Sequence, residues 1–100
     1  MAIIQTGSLE LDSRSDTELK GGNTSSFTQV TFPTPFPAGS KVNVIPMVQT
    51  FNGQETPGIR IAEVTPQGFL IRFNELVGGG KALSDGRHIT ETVGWIATTV

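Results

Sequence analysis

His88 is the single histidine of the chain, and the chain has no cysteine. A multi-histidine metal site, a thiolate nucleophile and a two-histidine catalytic pair therefore cannot be built within one copy. A serine hydrolase arrangement would have to pair His88 with Asp85 and one of several serines. No Gly-x-Ser-x-Gly turn is present to hold such a serine in a strained, exposed position. Gly78-Gly79-Gly80-Lys81 has the flavour of a phosphate loop, which needs Gly, four residues, then Gly-Lys-Ser/Thr. Here Glu75 stands five before Gly80 and Ala82 follows Lys81, so the segment is expected to be a flexible loop. Glu10, Asp12, Asp16 and Glu18 form an acidic run broken by Arg14. Its spacing matches no calcium-binding loop, and it is expected to be a solvated loop. Asn23-Thr24-Ser25 fits the N-glycosylation pattern, which matters only in a eukaryotic secretory pathway. The expectation is a protein that is not an enzyme, with no cofactor and no metal.

Composition narrows the partners. One hundred residues make one domain, with 7 Lys+Arg against 9 Asp+Glu and a net charge of -2. Charged residues are 16% of the chain, against about 25% in an average soluble domain. Such a weak, slightly acidic balance argues against tracking nucleic-acid phosphates and against a polybasic membrane contact. The longest uncharged apolar stretch, Val42 to Val48, is interrupted by Asn43 and Pro46. It falls far short of the ~20 residues of a spanning helix, so no membrane insertion is expected. Met1-Ala2-Ile3-Ile4-Gln5 lacks the basic region of a signal peptide. Cytoplasmic synthesis is expected, followed by release or by virion or extracellular assembly through a route this chain does not encode.

The elements that must carry these residues read as strands. Gly 12 and Pro 6 are spread along the chain and leave few windows long enough for a helix. Val42, Val44 and Val48 alternate with Asn43, Met47 and Gln49; Ile59 and Ile61 flank Arg60; Phe69, Ile71 and Phe73 alternate with Leu70 and Arg72. Near the end, Ile89, Val93, Trp95 and Ala97 share one face, opposite Thr90, Thr92, Gly94 and Thr98. Strands around Ile3–Leu11 and Ser26–Phe32 bring the number to about six. Thr65-Pro66-Gln67-Gly68 has the residues of a tight hairpin turn, and Phe51-Asn52-Gly53-Gln54 those of a type I′ turn, although Pro57 and Gly58 favour a longer loop. Gly78–Gly86 is expected to join the last two strands. Pro46 puts its strand at a sheet edge or on a bulge. Phe32-Pro33-Thr34-Pro35-Phe36-Pro37 reads as an extended bridge between sheets, with Phe36 in the core. Two small antiparallel sheets packed face to face is the economical all-β architecture. The six Phe and Trp95 are expected to be largely committed to that core, leaving almost no aromatic for a stacking pocket.

Val30-Thr31-Phe32, Val42 to Val48, Val64-Thr65-Pro66-Gln67-Gly68-Phe69 and Val93-Gly94-Trp95-Ile96-Ala97, in this order, resemble the H-type lectin domain. The resemblance covers roughly residues 26–98. It implies a six-stranded antiparallel β-sandwich that assembles into homotrimers and binds carbohydrate at one end, near subunit boundaries. It also implies an acidic contact in the N-terminal loop, matched here by Asp16. The family's arginine, aromatic–histidine pair and tyrosine fall at Thr56, at Asn74-Glu75 and at Ile89, so the familiar sugar pocket is mostly replaced; Arg60 lies four residues after the arginine position.

Two functions follow as expectations. The first is a lectin module, a homotrimer that recognises cell-surface glycans through polar end-loop residues: Asp16, Asn74, Glu75, Asp85, Arg87 and His88. Carboxylates, Arg and His suit sugar hydroxyls because charge-assisted hydrogen bonds are about twice as strong as neutral ones. The alternative is a structural module, such as a phage tail or fibre component used in host attachment, that keeps the trimer without the sugar pocket. The low charge content suits a large permanent interface in either case.

Overall fold

The computed structural model describes residues 2–75 and 84–100. These form six strands and no helix: β1 (Ile4–Ser13), β2 (Thr28–Thr31), β3 (Val42–Val48), β4 (Ile59–Thr65), β5 (Gly68–Phe73) and β6 (His88–Thr99). Two three-stranded antiparallel sheets result, ordered β1-β6-β3 and β2-β5-β4. The chain is all-β, as its period-two patterning predicts.

Consecutive strands mostly change sheets, and only β4 and β5 form a hairpin. Its two-residue loop is Pro66-Gln67, with Thr65 opposite Gly68 and the Gln67 amide donating to Thr65 Oγ1 at 3.2 Å. Residues 49–58 carry the chain from β3 in one sheet to β4 in the other, so the longer loop favoured by Pro57 and Gly58 is the one that forms. The β5-to-β6 link likewise crosses between sheets, and Gly78–Lys81 lies outside the described residues. Pro46 sits on β3, an edge strand, where its missing N–H costs no ladder bond on the open side.

The inner faces of the two sheets share one core. Leu11, Val44, Val93, Trp95 and Ala97 come from one sheet, and Phe69, Ile71 and Phe73 from the other. The 32–37 bridge behaves as its prolines predict, burying Phe32 and Phe36 beneath it. The Phe32 ring lies 5.1 Å from Phe36, edge-on, and 5.5 Å from Trp95. Trp95 is a core residue at 5% exposure. It lies over Gly7, its partner in the β1–β6 ladder, where any Cβ would overlap the indole.

Three sequence expectations change here. Ile89 has the phase of Val93 and Trp95 but is exposed, because the β1–β6 register shifts there: Leu11 pairs with Glu91 and Ser13 with His88, so three steps of β6 match two of β1 and the alternation is broken. The acidic run is only half loop, since Glu10 and Asp12 belong to β1. Two of the six Phe stay out of the core: Phe51 is 89% exposed, and Phe27 is only half-buried.

A candidate ligand cleft at the loop end

The C-terminal ends of β1, β3 and β5 and the N-terminal ends of β2, β4 and β6 point the same way. The loops 14–27 and 49–58 and the described parts of 74–87 therefore meet at one end. A shallow cleft of about 560 Å³ opens there, with Asp12, Arg14, Gln54, Glu55, Asp85 and Arg87 on its walls. A smaller hollow of about 290 Å³ adjoins it through Gly53, Gln54 and Glu55, and Phe51 forms part of its wall.

Glu91 holds this end together. Its side chain is 1% exposed, in phase with Val93 and Trp95 on the inner face of β6. Oε1 accepts from Thr50 Oγ1 at 2.7 Å and from the Asn52 amide at 2.9 Å. Oε2 accepts from the Gly53 amide at 2.9 Å and faces His88 Nε2 at 2.8 Å. A buried carboxylate is costly unless fully bonded, and these donors meet that need. The His88 contact first, then Thr50 and the Gly53 amide, hold its carboxyl down to about 2, against the opposing pull of burial. Outside the carboxylate, the Gln49 amide donates to Thr92 O at 2.7 Å, the Thr92 amide to Thr50 Oγ1 at 2.9 Å and Asn52 Nδ2 to Thr90 O at 2.9 Å. Because Thr50 and Asn52 both turn toward β6, Phe51 between them is pushed outward into solvent.

Arg72 plays the matching part for the 14–27 loop. It lies on the outer face of β5 yet is buried, because that loop folds over it. Nε donates to Phe73 O at 3.0 Å, Nη2 to Ser15 O at 3.0 Å and to Asp16 O, and Nη1 to Ser26 Oγ. Gly86 locks the same loop to the 84–87 segment. Its φ of 82° is in the left-handed region, a Cβ would overlap the backbone of Asp16 and Thr17, and its carbonyl accepts from Ser13 Oγ.

The six residues expected to contact a ligand all reach this end but take different roles. Asp85, Arg87 and His88 line the larger cleft. Asp16 joins them at the rim, its Oδ1 3.2 Å from Arg87 Nη2. Arg87 and Asp16 are well exposed, and Asp85 accepts from the Arg87 amide at 2.9 Å. Asn74 is spent on the scaffold: Oδ1 accepts from the Glu18 amide at 2.7 Å, and Nδ2 donates to Glu18 O at 3.1 Å. Glu75 does not line the larger cleft; it sits beside Gly58, with a carboxylate oxygen within 4.8 Å of ligand atoms of Glu55 and His88, which do line it. His88 is only 6% exposed, with its ring edge-on to Phe73 at 5.3 Å. Glu91, Arg72 and Phe51 are the residues that sequence reasoning missed.

No protein-family model, curated protein or solved structure matches the chain.

Proposed function

We propose that the protein is a non-enzymatic carbohydrate-binding module, a β-sandwich of the H-type lectin kind that acts as a homotrimer. The observation that carries this is the loop-end cleft, whose rim carries exposed Asp16, Asp85 and Arg87 and whose Gly53–Glu55 wall is shared with the adjoining hollow lined by the outward-turned Phe51. Sugar rings offer hydroxyls on their edges and an apolar C–H face. A rim of carboxylates and guanidinium with one neighbouring aromatic meets both needs. Phe51 supplies the aromatic that composition alone assigned to the core. The scaffold bonds of Glu91 and Arg72 hold the loops before any ligand arrives, which reduces the ordering cost of binding.

Trimerisation is the second part of the proposal. The outer face of the β1-β6-β3 sheet exposes Ile4, Ile45, Met47 and Ile96, and Ile45 and Ile96 are direct partners across β3 and β6. Apolar surface grouped in this way fits an interface between copies. Three linked weak sites raise avidity by about 10²–10⁴ where geometry allows simultaneous contact.

The same apolar face also favours a second reading, an assembly module such as a phage tail or fibre component that trimerises without binding sugar. A dense glycan array separates the two: the lectin gives hits that Asp16→Ala and Arg87→Ala weaken, and the assembly module gives none. Both predict a trimer by native mass spectrometry.

A further inference from the structure

Glu55, Glu75 and His88 place one carboxylate oxygen each and a ring nitrogen within 4.8 Å of one another. They arrive from three segments: the β3-to-β4 link, the residues just after β5, and the first residue of β6. The segments are tied together independently of these side chains. The Asn74 amide donates to Gly58 O at 2.6 Å, and Gly58 lets the link approach closely, since a Cβ there would stand 3.2 Å from Glu75 Cγ.

His88 supplies a second, separate observation. Its side chain is 94% buried, fixed between Phe73 and the backbone of Gly53, where a Cβ would stand 2.5 Å from Cε1. Nε2 faces Glu91 Oε2 at 2.8 Å, and an ionised carboxylate only accepts, so Nε2 carries the proton. The lone pair then sits on Nδ1, which bonds to no described residue and, since no buried side-chain nitrogen or oxygen among the described residues lacks a partner, is open to solvent. A carboxylate behind an imidazole is the arrangement that orients metal-binding histidines and fixes their tautomer.

We propose that Glu55, Glu75 and His88 form a three-ligand site for a divalent transition metal of the zinc class, with Glu91 as the positioning residue for His88. One nitrogen and two carboxylates suit zinc better than magnesium or calcium, which favour all-oxygen shells. Tetrahedral zinc needs its donor atoms about 3.4 Å apart, and the exposed Glu55 side chain is free to close that gap. The two carboxylates balance the charge of the ion, and a fourth position stays open to water or ligand. The site stands whether or not the loop-end cleft binds glycan.

The test is a titration of chelator-treated full chain with zinc chloride, by calorimetry and thermal unfolding, with magnesium chloride as the comparison. One zinc per chain is expected, with a rise in the unfolding midpoint of about 10–20 °C at a hundredfold excess over Kd. Magnesium should give no rise. Glu55→Gln and Glu75→Gln should each weaken zinc at least tenfold, and Glu91→Gln by about 10–100-fold through the loss of His88 orientation. Glu55 is exposed, so Glu55→Gln should unfold at the wild-type temperature in the absence of metal. Cobalt substituted for zinc should show visible absorption bands that Glu55→Gln removes. Absence of zinc binding by the wild-type chain overturns the proposal. So does zinc binding that Glu55→Gln and Glu75→Gln leave unchanged, which would place the ion elsewhere.

Discussion

Glu91 Oε1 lies 2.9 Å from the amide nitrogen of Asn52, joining the inner face of β6 to a loop 39 residues earlier in the chain. With the bonds to Thr50 and Gly53, it makes a buried carboxylate the organiser of the loop that presents Phe51. Glu91→Gln keeps the shape but turns an NH2 group toward groups that are themselves donors. The Asn52 and Gly53 amides should then exchange with solvent at least tenfold faster than in the wild type, while amides in the centre of β5 change little. Hydrogen exchange read by NMR checks this.

The same carboxylate makes the fold acid-sensitive. Its folded-state carboxyl is lowered to about 2 from the ordinary 4.5, chiefly by His88 and Thr50. A lowered acid stabilises the fold fully above its unfolded value, and that contribution is lost as pH falls through the folded value. Denaturation midpoints should therefore decline between pH 4.5 and pH 2, and more steeply in the wild type than in Glu91→Gln. Midpoints measured every half unit of pH, with both proteins side by side, check it.

Gly7→Ala should cost about 1–3 kcal/mol, because the added methyl overlaps the Trp95 indole and the core must shift to admit it. Chemical denaturation gives the size of the loss. Fluorescence gives its location: wild-type Trp95, at 5% exposure, should emit as a buried indole, and Gly7→Ala should shift that emission to the red.

Ile45→Glu should disrupt assembly without unfolding the chain. Ile45 is 61% exposed on the open edge strand and pairs with Ile96. A charge placed there should cost the core nothing but would have to be buried at an interface between copies. Native mass spectrometry at micromolar concentration should show trimers for the wild type and monomers for the variant, with the same circular dichroism.

Most of the strand pattern was legible because the inner faces alternate along β3, β5 and the central part of β6, away from the register shifts at Leu11/Ser13 and Ala62/Thr65. Phe69, Ile71 and Phe73 declare β5, and Val93, Trp95 and Ala97 declare β6. Sheet membership was less legible, since turn residues mark a change of direction without saying which sheet comes next. Residues 51–54 show this, carrying hairpin residues on a link between sheets. The site was half legible. Asp16, Asp85 and Arg87 stand out as polar groups on loops, and the structure gathers them at one rim. Glu91 had a signal in its parity, an acid in step with Val93 and Trp95, where only a bonded carboxylate is tolerated. Arg72 had none. Its phase on β5 points outward, and it is buried by a loop whose path depends on backbone carbonyls at Ser15 and Asp16. Phe51 is exposed through its neighbours rather than itself, because Thr50 and Asn52 both bond inward.

The glycan-binding proposal meets its most direct test on a dense array of diverse glycans, probed with the full chain and with three rim variants. The expected result is a consistent set of hits for the wild type, weakened about tenfold or more by each of Asp16→Ala, Arg87→Ala and Phe51→Ala at unchanged unfolding temperature. A blank array across all glycan classes, or hits that none of the three substitutions alters, would contradict it.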